Sequence, residues 1–129
     1  MNVLIADDRK DVRYGLGVLL EEQEKVNISG EAENFKELIQ TILKRCPDMI
    51  LLSWELPGQA GATLLKSIRL LCPGVIIVVM SSKPEVAQNA LTTGADHFVS
   101  KGEPPESLFR VIQSYLLMEQ PGLIQPGGN

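Results

Sequence analysis

No stretch of this 129-residue chain approaches the ~20 consecutive apolar residues that a membrane-spanning helix requires, and a strand-like run begins within two residues of Met1. Neither a signal peptide nor an anchor is expected, and the expected location is the cytoplasm. Cysteine is scarce: Cys46 and Cys72 each precede a proline at an expected helix end, have no metal-type spacing, and are expected to be reduced, inert thiols. Positive charge is thin as well. The 12 Lys and Arg stand against 16 Asp and Glu, for a formal net charge of −4, and the basic residues are scattered. That excludes nucleic-acid binding through a basic patch of this domain. What is present is ordinary for a folded protein, with 44% hydrophobic and 22% charged residues in a length that suits one domain with its own core.

Along the chain, short apolar runs alternate with segments of helical period. Val3 to Ala6 reads as a strand, after which Val12, Leu16, Leu19 and Leu20 fall on one helix face. Val26, Ile28, Gly30 and Ala32 alternate with polar residues, and Phe35, Leu38, Ile39 and Ile42 form a second stripe opened by Asn34 with Glu37 three residues on. Met49 to Leu52 is continuously apolar. Leu64, Leu65, Ile68 and Leu71 then stripe a third helix, stopped by Cys72-Pro73-Gly74. Val75 to Met80 is the most strand-like run, followed by a weaker helix around Val86, Ala87, Ala90 and Leu91 that ends at Gly94. Phe98-Val99 marks a fifth strand. Pro104-Pro105 opens a last helix with Leu108, Val111, Ile112, Tyr115 and Leu116 on one face. Residues 1–118 make the domain, and 119–129, EQPGLIQPGGN, read as a tail or the start of a linker.

Five β-α units of this length predict an α/β fold, a doubly wound parallel sheet with helices on both faces. Strands one, three and four are apolar without alternation, as central strands are, while strand two alternates like an edge. The expected order is 2-1-3-4-5. Such sheets bind ligands beyond the carboxyl ends of their strands, where the order reverses. The residues there are Asp7-Asp8, Ser53, Ser81 and Lys101.

From residue 2 to residue 117 the chain resembles the receiver domain of two-component response regulators, and the carriers are LIADD, PDMILLSWELPG, VVMSS, GADHF and the lysine of FVSKGEPPESL. Five such segments in order at strand ends make a strong signal. The resemblance implies a flavodoxin-like fold, a signalling module of the phosphorelay rather than an enzyme, and Mg²⁺ dependence. It implies as partners a histidine kinase or other signalling protein, an output domain or regulator, and a second copy in a homodimer, with neither nucleic acid nor membrane bound by this domain. It also implies site roles: Asp7 and Asp8 as metal carboxylates, the Glu55 backbone carbonyl as a further ligand, Ser81 and Lys101 as phosphoryl contacts, and Phe98 as the switch aromatic.

The departure is Ser53, which stands where the family has its phosphate-accepting aspartate. A serine hydroxyl needs a neighbouring base to become a nucleophile, and none is evident nearby in the sequence. Losing that carboxylate also removes one anionic ligand, so Mg²⁺ is expected to bind weakly or not at all. Gly102 follows Lys101 where the family often has a cis proline, and the loop after Ser81 is short. Trp54 and Glu55 are expected to be exposed loop residues and His97 an uninvolved surface histidine.

The leading reading is a phosphorylation-independent, atypical receiver that acts by protein contact through helix four, strand five and helix five. The alternative is an ordinary phospho-accepting receiver with an engineered change at Ser53. A flavin or nucleotide module on the same fold would want a Ser/Thr/Gly-rich phosphate cradle after strand one, and DDRKD offers anions instead. A phosphatase built on an aspartate nucleophile would separate its two aspartates by one residue and add a lid.

Overall fold

The computed structural model of the chain describes residues 1–118, so the expected tail or linker lies outside the described residues. The elements alternate throughout: β1 (Asn2–Ala6), α1 (Lys10–Glu21), β2 (Asn27–Ala32), α2 (Phe35–Lys44), β3 (Met49–Ser53), α3 (Gly61–Leu71), β4 (Ile76–Ser81), a 3₁₀ turn (Pro84–Val86) leading into α4 (Ala87–Thr92), β5 (His97–Ser100) and α5 (Pro105–Met118). All strand pairs are parallel and the sheet order is β2-β1-β3-β4-β5, as the strand patterns predict.

Strand side chains alternate between faces, so the sheet splits the core in two. Leu4, Ile50, Leu52, Ile77 and Val79 join Leu38 and Ile42 of α2, Leu64, Leu65 and Ile68 of α3, and Ala90 of α4. On the other face Val3, Ile5, Met49, Leu51, Val78 and Val99 meet Leu16 and Leu20 of α1 and Leu108, Ile112 and Leu116 of α5. The central strands are apolar at every position because both faces are covered. β2 alternates because it is an edge.

Helix boundaries follow local chemistry. The Asn34 side chain accepts from the Glu37 backbone N–H, and the Glu37 carboxylate accepts from the Glu33 N–H, so two otherwise unpaired donors at the start of α2 are satisfied. Gly94, at φ +125°, turns the chain after α4 in a conformation that side chains with a Cβ rarely adopt. The fourth helix is the shortest, a single turn and a half behind its 3₁₀ start, which agrees with its weak periodicity.

Two expectations fail here. Leu71, placed by its spacing on the buried stripe of α3, is 39% exposed because it lies in the final turn, beyond the edge of the core. More consequentially, the cysteines are not free thiols: Cys46 and Cys72 form a disulfide with a Cα–Cα distance of 5.8 Å. They precede β3 and β4, which are parallel neighbours with Met49 opposite Ile76, so the register carries both sulfurs to the amino-terminal edge of the sheet. Their 26-residue separation in sequence hides that proximity.

Candidate functional site

Side-chain parity assembles the site. Asp7 continues the series Val3, Ile5; Ser53 continues Met49, Leu51; and Lys101 continues Val99, all on the α1–α5 face of the sheet. They emerge together at its carboxyl edge. The Lys101 ammonium lies 2.7 Å from Asp7 Oδ2 and donates to Ser53 Oγ at 3.2 Å. Asp7 and Ser53 are each only 2% exposed. The other Asp7 oxygen, Oδ1, accepts from the Arg9 backbone N–H at 2.9 Å, which starts the turn into α1. Asp8 is exposed. Glycine after Lys101 does not keep the lysine out of the pocket, because the Lys101 backbone N–H is anchored to the Ser81 carbonyl at 2.9 Å.

Ser81, which follows Ile77 and Val79, faces the other way. It is fully buried, its hydroxyl donates to Glu55 Oε2 at 2.9 Å, and its oxygen accepts from the Lys83 N–H at 3.0 Å. The short loop after β4 is thereby tied to the loop after β3. The Glu55 side chain thus has a partner of its own, separate from the backbone carbonyl to which the resemblance assigns a role. Trp54 is not a freely exposed loop residue: it is partly buried against the α2–α3–α4 core, with its indole over the start of α3. A Cβ at Gly61 would meet that ring at 2.7 Å, which explains glycine there. Phe98 is half-buried and packs against the same core.

Three further polar groups escaped the sequence reading. Arg13 Nη1 donates to the Asp7 carbonyl at 2.7 Å while its Nε pairs with Glu31 at 3.0 Å, bracing α1 against β2 beneath the acidic pair. Arg69 of α3 donates to the carbonyls of Val75 and Gly94 and pairs with Asp96 at 2.6 Å. Asp96 in turn accepts from the Ile77 N–H at 2.8 Å, so the aspartate of the GADHF segment positions β5 against β4. His97, expected to be uninvolved, hydrogen-bonds the Tyr115 hydroxyl at 2.8 Å with the rings edge to face. The two residues lie 18 apart in sequence on separate elements, so no local period signals the pair.

As a metal site the donor set fits poorly. Among the described residues no group of three or more His, Cys, Asp or Glu is arranged to hold an ion. Both Asp7 oxygens and Ser53 Oγ are already engaged, and one oxygen of the Glu55 carboxylate, Oε2, accepts from Ser81. A hard divalent cation needs several free oxygens, and here they reduce to the Asp8 carboxylate and the remaining oxygens of Glu55. Among the described residues no helix is long and apolar enough to cross a membrane.

Comparison with known proteins agrees with this architecture. The Fimbriae Z protein of Escherichia coli (strain K12) is 31% identical over 117 residues, covering 89% of this chain and 56% of the relative. The phosphate regulon transcriptional regulatory protein PhoB of Pseudomonas aeruginosa is 32% identical over 128 residues, covering 93% of this chain and 53% of the relative. The chain thus spans about half the length of the curated relatives it matches. The isolated REC domain of RcsB from Salmonella enterica serovar Typhimurium, solved in the presence of phosphomimetic BeF₃⁻, superposes with a TM-score of 0.83 at 30% identity, covering 90% of this chain and 88% of that one. A family model for the response regulator receiver domain matches residues 3–113. With its sheet order, its strand-end site and these relatives in agreement, the chain belongs to the response regulator receiver domain family.

Proposed function

We propose that this receiver domain does not take phosphate at position 53 and signals by protein contact alone. The observation that carries the reading is the environment of Ser53. Its hydroxyl is buried, and the one charged group touching it is the Lys101 ammonium, which donates and has no lone pair with which to take a proton. The Asp7 carboxylate, which shares Lys101 with Ser53, has both oxygens occupied. Aspartyl chemistry needs an oxygen that is ionised at neutral pH, and serine does not offer one.

The contact face is formed by α4, β5 and α5, where the His97–Tyr115 hydrogen bond fixes β5 to α5. Partners that fit are a histidine kinase or another signalling protein, a second copy of the chain, and an output domain such as belongs to a transcriptional regulatory protein like PhoB. The domain's acidic balance leaves nucleic acid to that other domain. Mg²⁺ binds weakly, for want of anionic oxygens.

Intact-mass measurement after treatment with acetyl phosphate and Mg²⁺ tests the reading. The chain is expected to gain nothing, and a single added phosphoryl group would refute it. Ser53→Asp is expected to gain one phosphoryl group, and to lose the gain when Asp8→Asn is added, because metal and nucleophile act as a unit.

A further inference from the structure

We infer that the Lys101 ammonium is the resident cation of this pocket, holding the Asp7 carboxylate in the way a divalent metal would, so that a metal ion binds only by displacing it. The inference rests on the receiver reading of the site and concerns its regulation.

Three observations carry it. Asp7 is almost wholly buried, and a buried carboxylate without a compensating charge is costly. Its compensation comes from within the chain: Lys101 Nζ at 2.7 Å on Oδ2, with the Arg9 N–H on Oδ1. Secondly, Lys101 has one carboxylate to serve. An aspartate at position 53 would compete for the ammonium, but serine contributes only a neutral oxygen at 3.2 Å, so the full charge of the lysine is committed to Asp7. Thirdly, the wall that would otherwise answer a bound ion is closed on itself, with Ser81 donating to the Glu55 carboxylate and the two loops joined through it. Both Asp7 carboxylate oxygens, Ser53 Oγ and Ser81 Oγ are already paired, which leaves an ion the Asp8 carboxylate and the rest of Glu55. Arg13 adds a second positive group on the Asp7 carbonyl, which further disfavours a divalent ion.

The consequence is a pocket that keeps one conformation whether or not Mg²⁺ is present, and a domain whose contacts do not depend on the ion.

Lys101→Met removes the charge and keeps the length of the side chain. By calorimetric titration with Mg²⁺ this variant is expected to bind at least about tenfold more tightly than the wild type, because the vacated Asp7 carboxylate becomes available. Equal or weaker binding would overturn the inference. Should the variant not fold, amine labelling of the wild-type chain followed by mass spectrometry decides the matter. Lys101 is expected to react several-fold more slowly than the exposed Lys36, Lys44 and Lys66, and Asp7→Asn is expected to remove that protection. Labelling of Lys101 at the rate of the exposed lysines would refute the pairing. These outcomes stand apart from the phosphorylation test: Ser53 modified by acetyl phosphate would refute the proposed function, whereas unchanged Mg²⁺ affinity in Lys101→Met would refute only the role of the lysine.

Discussion

Opening the Cys46–Cys72 bridge should cost a large share of the stability of this domain. The bridge closes a loop of 26 residues that contains β3, α3 and the approach to β4, the middle of the fold. For a loop of that length, the chain-entropy relation gives a restriction of the unfolded state worth about 3.5 kcal/mol at 25 °C. That compares with a total of ~5–15 kcal/mol for domains of this kind. Cys46→Ser is the suitable perturbation, because Cys46 is exposed and the change leaves the buried Cys72 as a small apolar thiol. Thermal unfolding followed by circular dichroism should show a midpoint lowered by roughly 10–15 °C. A phosphine reductant should lower the wild type by a similar amount and leave Cys46→Ser unchanged. Two results would refute the reasoning: alkylation of both cysteines in the folded, unreduced wild type, or a midpoint indifferent to the reductant. The chemistry also bears on location, since reducing compartments keep such bridges open unless they are strongly favoured by the fold. Attack by an external thiolate is directed to the exposed Cys46 sulfur, with Cys72 leaving as thiolate.

Other expectations concern the scaffold around the site. Arg69→Met removes the donor shared by Val75, Gly94 and Asp96, and should destabilise the domain by about 2 kcal/mol in urea unfolding, the partial exposure of the pair tempering the loss; no change would mean the ion pair is ornamental. Gly61→Ala drives a methyl group into the Trp54 indole, so Trp54 emission should shift to longer wavelength as the ring is expelled, and an unmoved spectrum would contradict the packing. Burial first, and then the negative charge of Asp96, hold the Tyr115 phenol above its ordinary value of 10.0. The unfolded chain therefore loses that proton first, and stability that is complete below pH 10 should fall as pH climbs through the raised value. Tyr115→Phe should flatten that alkaline limb in urea midpoints measured against pH.

The strand order was legible because burial leaves a direct mark on composition: a strand covered on both faces, such as Met49 to Ser53, must be apolar throughout, and an edge such as β2 need not be. Asp7, Ser53 and Lys101 were legible as a group for a related reason, since a period of two fixes which face a strand-end residue takes once the strand itself is placed. Short-range chemistry was legible too, as the Asn34–Glu37 cap shows. What the sequence left undecided were pairings between side chains brought together by register and loop closure. Cys46 and Cys72 read as two unrelated thiols until the parallel alignment of β3 and β4 put them at one edge. Ser81 and Glu55 read as a phosphoryl contact and a backbone ligand, and the hydrogen bond between their side chains shows only once the two loops are brought together. Lys101 read as a lysine awaiting a phosphate, and only the tertiary structure gave it to Asp7. Periodicity reports which surface a residue covers, because solvent acts on each position separately. Which partner a polar group meets depends on distances across the sheet that no local pattern encodes.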